Sequence, residues 1–225
     1  MSSARHRIIS SQELKARWEE GSEGFSDDLN LRIRRALSWL ERAETEETDP
    51  DAEVIFLWIA FNAAYAEETG NEHITTERNV FEDFFRKLIA VDGDRLIYDA
   101  LWERFTGPIR LLLDNRFVFQ PFWNHHNRIP GHEDWERRFE NGKDRIRNGL
   151  AGQDTALILN TLFDRLYVLR NQLIHGGATW KGSVNRNQVT DGARILAFLV
   201  PVFIHLMIEN PHVDWGPPNY PVVRI

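Results

Sequence analysis

The chain has 225 residues, 42% of them hydrophobic, which is enough to bury one sizeable core. It contains no cysteine, which excludes disulfides, thiolate metal sites and cysteine nucleophiles and favours a reducing compartment. The formal net charge of −7 argues against bulk attraction to polyanions, although residues 135–195 carry more basic than acidic side chains. Those basic residues could contact phosphates or could lie on solvated helix faces.

Export and membrane segments are not expected. Residues 1–11 are polar with scattered arginines and lack the apolar stretch of a secretory signal. The longest apolar run, about 195–208, is shorter than the roughly 20 residues that span a bilayer, and Pro201 and His205 interrupt it. We therefore expect a cytoplasmic protein with no membrane partner.

Apolar spacing and capping residues predict helices through the first half of the chain. Ser26 has the character of an N-cap before an amphipathic segment, and 54–66 is apolar on every side, which indicates a central buried helix. Helices are expected near 13–20, over 27–44 and 54–66, from Thr75 or Thr76 to Ile89, from Asp92 to about Phe105, and as one or two turns over 108–114.

The second half contains the clearest helix. Asp154 is its N-cap, leucines line its inner side, and Gly176 and Gly177 end it. Around this helix we expect an irregular aromatic segment over 115–130, a partly helical one over 135–150, and a last helix over about 188–209 that Pro201 kinks.

No segment alternates with a period of two for long, so strands are not expected. The predicted fold is all-α, a helical bundle. The predicted organisation is an N-terminal arm over 1–25, a helical domain over 26–209 with an insertion around 106–150, and an extended proline-rich tail over 210–225.

Three polar side chains gather at the end of the leucine-lined helix. Asn171 and His175 are four residues apart and share a helix face, and the long side chain of Arg170 lies beside them. This set could be a chemical site. It could also be a histidine placed for the helix dipole and an arginine reaching for water.

The Arg-Asn-x-x-x-His motif at 170–175, followed by Gly176, resembles the HEPN family, and so does the buried helix 54–66. The resemblance implies an up-and-down bundle of four or five helices. It implies a metal-independent endoribonuclease of toxin–antitoxin, abortive-infection or other antiviral defence systems. Arg170 and His175 would be catalytic at a homodimer interface, assisted by Asn171, with no cofactor and with an antitoxin or defence protein as a partner.

Two departures from the family pattern stand in this sequence. Gly177 occupies the place of the tyrosine that members modified by a nucleotidyltransferase often carry, and 106–150 is long for a minimal domain. Many family members bind without cutting. A non-catalytic module for RNA or a partner protein is therefore the alternative function, and a structural oligomerisation domain is a third.

The residue types suit RNA cleavage. Attack of a 2′-hydroxyl on its own phosphate needs a base, an acid for the leaving oxygen, and positive charge beside the phosphorane. Histidine can act as acid or base near neutrality, and arginine offers a fork of donors to phosphate oxygens. One Arg and one His per chain are too few for every role, so we expect two chains to combine Arg170 and His175.

Other candidate residues are weaker. Asn62 on the apolar helix could make a structural hydrogen bond or support Arg170 or Asn171. A basic strip near two aromatic residues could bind RNA or form a salt-bridged helix; it comprises Arg137, Arg138, Lys143, Arg145 and Arg147. A histidine and acid cluster lacks any recognised metal-ligand spacing, so no metal is predicted; it comprises His125, His126, His132, Glu133 and Asp134.

Overall fold

Helices and the loops between them make up the part of the chain that the structure, a computed structural model, describes: residues 8–66 and 77–221. The all-α prediction is confirmed for these residues, which contain no strand. The helices are α1 (Ser11–Gly21), α2 (Asp27–Glu44), α3 (Pro50–Tyr65), α4 (Glu77–Val91), α5 (Leu96–Asp99), α6 (Thr106–Leu113), α7 (Gln120–His126), α8 (Trp135–Ala151), α9 (Thr155–Ile174) and α10 (Arg186–Glu209).

Side-chain caps fix the starts of α1, α2, α3 and α9. The Ser26 hydroxyl accepts a hydrogen bond from the Leu29 amide at 3.2 Å, and the Asp154 carboxylate accepts one from the Leu157 amide at 3.0 Å. Helix α3 begins earlier than 54, because Asp49 caps it and Pro50 occupies its first turn. The predicted caps Thr75 and Thr76 lie outside the described residues.

Helix α3 is central, as its apolar composition predicts. It packs against α2 and α10 most extensively and also against α9 and α4. Its Phe61 is fully buried, and its ring lies 4.6 Å from Phe163 of α9 and 5.9 Å from Phe85 of α4. This aromatic contact joins three helices into one core and fixes where α9 lies.

The prediction of irregular structure over 115–130 is wrong in part. A 3₁₀ turn, Arg116–Val118, precedes α7, and Pro121 lies in the first turn of α7, where its missing N–H costs nothing. The reason is tertiary: Phe122 packs edge-on against Trp135 at 5.0 Å in a small second apolar cluster with Phe139. The short helix brings its aromatic side chains to the start of α8.

Helix α10 continues through Pro201, where a kink is expected. By length and composition α10 could cross a membrane, and it is the one described helix that could. However, 78% of its most apolar window is buried among the other helices, and the core helix of a bundle passes the same test.

The C-terminal segment from 210 is non-helical as far as Pro221 and folds back on the bundle. The buried guanidinium of Arg32 donates to three backbone carbonyls, those of Ala64 at 2.6 Å, Gly216 at 3.1 Å and Pro217 at 2.7 Å. Trp215 is buried as well. The described part of the predicted tail is therefore packed against the core, and residues 222–225 lie outside the described range.

Candidate functional site

Helix α9 ends in a Schellman motif at the predicted site. Gly176 has a φ of +71°, which L side chains rarely adopt, and the Gly177 amide donates to the Gln172 carbonyl at 2.8 Å. The amide of His175, the C-cap residue, donates to the Asn171 carbonyl at 3.0 Å. The two glycines therefore stop the helix directly after His175 and leave its side chain at the helix end.

Arg170 is held by its own helix. Its Nη1 donates to the Asn171 Oδ1 at 2.8 Å, and its Cζ lies 5.9 Å from the centre of the Tyr167 ring. The side chain is half-buried, and its Nε is buried with no acceptor among the described residues. The Trp58 Nε1, whose ring lies 6.0 Å from Tyr167, is a second such donor. A buried N–H group normally donates a hydrogen bond, so a water molecule or a ligand is the expected acceptor for these two groups.

The structure brings Arg170 and Asn171 together but leaves His175 apart. The His175 side chain is exposed, and in the described part of the chain no hydrogen bond or ion pair engages its imidazole. His175 is five positions after Arg170, which in an α-helix is about 7.5 Å along the axis and roughly 140° around it. One ligand could contact both side chains at the helix end, but the two do not contact each other within one chain.

Polar contacts and exposed apolar side chains surround this end of α9. The side-chain Nε2 of Gln172 donates to the Phe117 carbonyl at 2.6 Å, which holds the 3₁₀ turn beside the helix. Ile174, Trp180 and Val184 are 43%, 66% and 78% exposed. All three lie within nine residues of His175 in the sequence.

Two acidic residues at the start of α3 tie down the loop that follows His175. The Trp180 Nε1 donates to Asp49 at 2.7 Å, and Asp51 accepts the Lys181 amide at 3.2 Å and both terminal nitrogens of Arg186 at 2.8 Å. Burial disfavours the ionised form of Asp49, but the Trp180 bond and backbone donors outweigh it and lower the pKa of that carboxyl. Sequence analysis missed these contacts because the residues that they join are far apart in the chain.

Asn62 does not make the hydrogen bond expected of it. Its side chain is half-buried, and its Oδ1 is buried without a donor among the described residues. No hydrogen bond links Asn62 to Arg170 or Asn171 in the described part of the chain, so its supporting role stays a prediction.

Four of the five strip residues form ion pairs on the surface of α8. Arg137 and Arg138 pair with Asp134 at 2.7 and 2.8 Å, and the Arg137 hydrogen bond is the main cause of the lowered pKa of Asp134. Lys143 pairs with Asp114 and Glu140, and Arg147 with Asp144. These four residues therefore fit the prediction of a salt-bridged surface helix better than the prediction of a basic strip free to bind RNA.

Arg145 differs from its neighbours on α8. It is exposed, and within the described ranges no acidic group pairs with it. It lines the mouth of a cleft instead, so it is the strip residue best placed to meet an external anion.

The histidine and acid cluster makes local contacts: the rings of His125 and His126 lie 5.4 Å apart. His126 Nδ1 contacts the Phe122 carbonyl at 2.8 Å, and His132 Nε2 contacts the Asn124 amide at 3.1 Å. Among residues 8–66 and 77–221, no three His, Asp or Glu side chains are grouped so that they could hold a metal ion.

A cleft of about 420 Å³ opens along α9 beside Arg170. Sequence analysis did not predict this cleft. The one signal for it was the three-residue spacing of Tyr167 and Arg170, which makes the two residues neighbours on the helix surface. Tyr167 belongs to both the cleft and the Arg170 contact. The lining residues are Phe81, Phe119, Gln120, Pro121, Gly142, Arg145, Ile146, Thr161, Asp164, Arg165, Tyr167 and Val168.

Comparison with known proteins adds no relative to this description. No family model matches the sequence, and no match was found among the curated proteins or the solved structures.

Proposed function

We propose that this chain is a HEPN-type, metal-independent endoribonuclease of a bacterial defence, abortive-infection or toxin–antitoxin system. The observation that carries the proposal is the arrangement at the end of α9, where Arg170 is oriented by Asn171 and Tyr167 and an exposed His175 follows five positions later. The end of α9 thereby offers a cation, Arg170, to bind a phosphate, and an imidazole, His175, to give protons to its oxygens or take them.

In the proposed reaction the 2′-hydroxyl attacks the adjacent phosphorus and loses its proton to a general base. The bond from phosphorus to the 5′-oxygen breaks, and that oxygen takes a proton from a general acid. The products are a 2′,3′-cyclic phosphate and a 5′-hydroxyl. Arg170 would stabilise the charge on the phosphorane, and His175 would transfer the protons.

A second copy of the chain completes the proposed site. A single imidazole cannot be base and acid at the same moment, and Arg170 and His175 do not contact each other in one chain. The exposed Ile174, Trp180 and Val184, all within nine residues of His175 in the sequence, would supply apolar contacts to the partner copy. A homodimer joined there would place two sets of Arg170 and His175 at one interface.

The test is cleavage of a mixed-sequence single-stranded RNA in EDTA by wild type, Arg170→Ala and His175→Ala. We expect about 10²–10⁴-fold slower cleavage for His175→Ala and a comparable loss for Arg170→Ala. His125→Ala and Arg137→Ala, exposed residues of the same types elsewhere, are the matched controls and should cut as wild type. A 2′-O-methyl RNA, which lacks the attacking hydroxyl, should stay intact.

Mixing wild type with an excess of the inactive His175→Ala variant tests the composite site. Each mixed dimer holds one His175 imidazole where the proposed reaction needs two, so the activity of the wild-type chains should fall as they enter mixed dimers. If Arg170→Ala and His175→Ala both cut as fast as wild type, the proposal is wrong.

The alternative is a module that binds RNA or a partner protein without cutting, and the exposed apolar side chains beside the site are compatible with it. A wild-type protein that binds RNA tightly but cleaves none of the RNA supplied would favour that function.

A further inference from the structure

We propose that the cleft along α9 holds one unstacked base of a single-stranded RNA whose backbone passes Arg170. This inference rests on the proposed function, since it takes RNA as the ligand. The volume of about 420 Å³ lies within the roughly 300–1,000 Å³ of small-ligand sites.

Aromatic rings from three different elements meet in the cleft. Phe81 comes from α4, Tyr167 from α9, and Phe119 from the residue directly before α7. The guanidinium of Arg165 lies 4.5 Å from the centre of the Phe119 ring. Single-stranded RNA is recognised by bases that stack on aromatic rings and on arginine planes, so these walls suit a nucleobase.

Polar groups in the same cleft can contact the edge of a base. Gln120 carries a donor and an acceptor, and Asp164 carries acceptors. The Thr161 hydroxyl donates to the Leu157 carbonyl at 2.7 Å, which leaves its oxygen able to accept. An apolar cleft with a few converging polar groups is the usual form of a site that orients a small ligand.

The position of the cleft links it to the phosphate chemistry. Tyr167 lines the cleft and also lies under the Arg170 guanidinium, and the unpaired Arg145 stands at the cleft mouth. A base between these walls would place its own phosphates between two cations. This arrangement would select an unpaired nucleotide next to the scissile bond.

Gly142 keeps the cleft open. It lies inside α8, where glycine is unfavourable, and nothing stands within 4 Å of the position that a Cβ would occupy. A side chain added there therefore meets no neighbour at its Cβ, and Gly142 itself lines the cleft. The Gly142→Leu variant should fill the cleft and should fold at least as stably as wild type.

The experiment measures binding of a fluorescein-labelled, mixed-sequence 2′-O-methyl octanucleotide by fluorescence anisotropy, so that cleavage plays no part. Gly142→Leu should bind at least about fivefold more weakly, because stacking of one base is lost. Asn141→Leu, the same side chain one position earlier and outside the cleft, should bind as wild type. Melting temperatures of both variants report folding.

A second pair of variants protects the test against a folding defect. Arg145→Glu should weaken binding, whereas Arg147→Glu, on the same helix but outside this cleft, should weaken it less. If folded Gly142→Leu binds as tightly as wild type, or if wild type binds no octanucleotide, the inference is overturned. If binding follows the prediction and unmodified RNA is never cut, the inference stands and the proposed nuclease activity fails.

Discussion

Replacing Asp51 by alanine tests how the loop after His175 is held. The Asp51 side chain is 6% exposed, and its carboxylate accepts hydrogen bonds from both terminal nitrogens of Arg186 at 2.8 Å. It also accepts the Lys181 amide at 3.2 Å. The variant leaves both terminal nitrogens of Arg186 without this acceptor, beside a cavity at the start of α3, and the Nε bond to the Gly182 carbonyl at 3.2 Å remains.

The expected cost lies between two limits. Removing one partner of a fully buried ion pair costs about 3–5 kcal/mol, and an exposed pair contributes about 0–1 kcal/mol. The Arg186 side chain is 29% exposed, so it can recover part of its hydration after the substitution. We therefore expect Asp51→Ala to lower the free energy of unfolding by about 2–3 kcal/mol.

Urea unfolding of the whole chain measures this loss as a lower midpoint with an unchanged slope. Arg137→Ala is the control, because its pair with Asp134 is on the surface, and it should change stability by less than about 1 kcal/mol. In a double-mutant cycle, adding Arg186→Ala to Asp51→Ala should cost little more. An Asp51→Ala protein as stable as the Arg137→Ala protein would refute the argument.

Three further predictions follow from the structure and the site chemistry. Asn62→Leu should leave the free energy of unfolding unchanged or raise it, because it removes a buried oxygen that accepts no hydrogen bond from the described residues. A decrease of about 1 kcal/mol or more in urea unfolding, roughly the contribution of one hydrogen bond, would contradict this. Burial, and after it repulsion by Glu47, raises the pKa of Glu53 from 4.5 to about 7. Because the unfolded chain then loses this proton more readily than the folded one, the free energy of unfolding should fall as the pH rises from about 4.5 through 7. Glu53→Gln should therefore be more stable than wild type at pH 8 and similar at pH 4.5 in thermal melts. RNA cleavage should survive EDTA, and a loss that one divalent ion restores would redirect attention to His125, His126 and His132.

Local rules in the sequence determined where the helices lie. Ser26 and Asp154 accept the backbone amides that a cap must satisfy, and Gly176 takes the left-handed conformation that ends α9. The all-round apolar segment 54–66 became the central helix. These features depend on neighbours within a few residues, so spacing alone indicates them, and the same rules placed Arg170, Asn171 and His175 at one helix end.

Contacts between distant residues decided the rest. The pairing of Asp51 with Arg186, and the burial of Arg32 under the C-terminal segment, join residues more than a hundred positions apart. Periodicity also cannot say which residue an arginine will contact, so the ion pairs of α8 and the unpaired Arg145 appear only in the folded chain. The cleft beside Arg170 has the same origin, because its walls come from four helices whose packing is set by the main core and by the second apolar cluster.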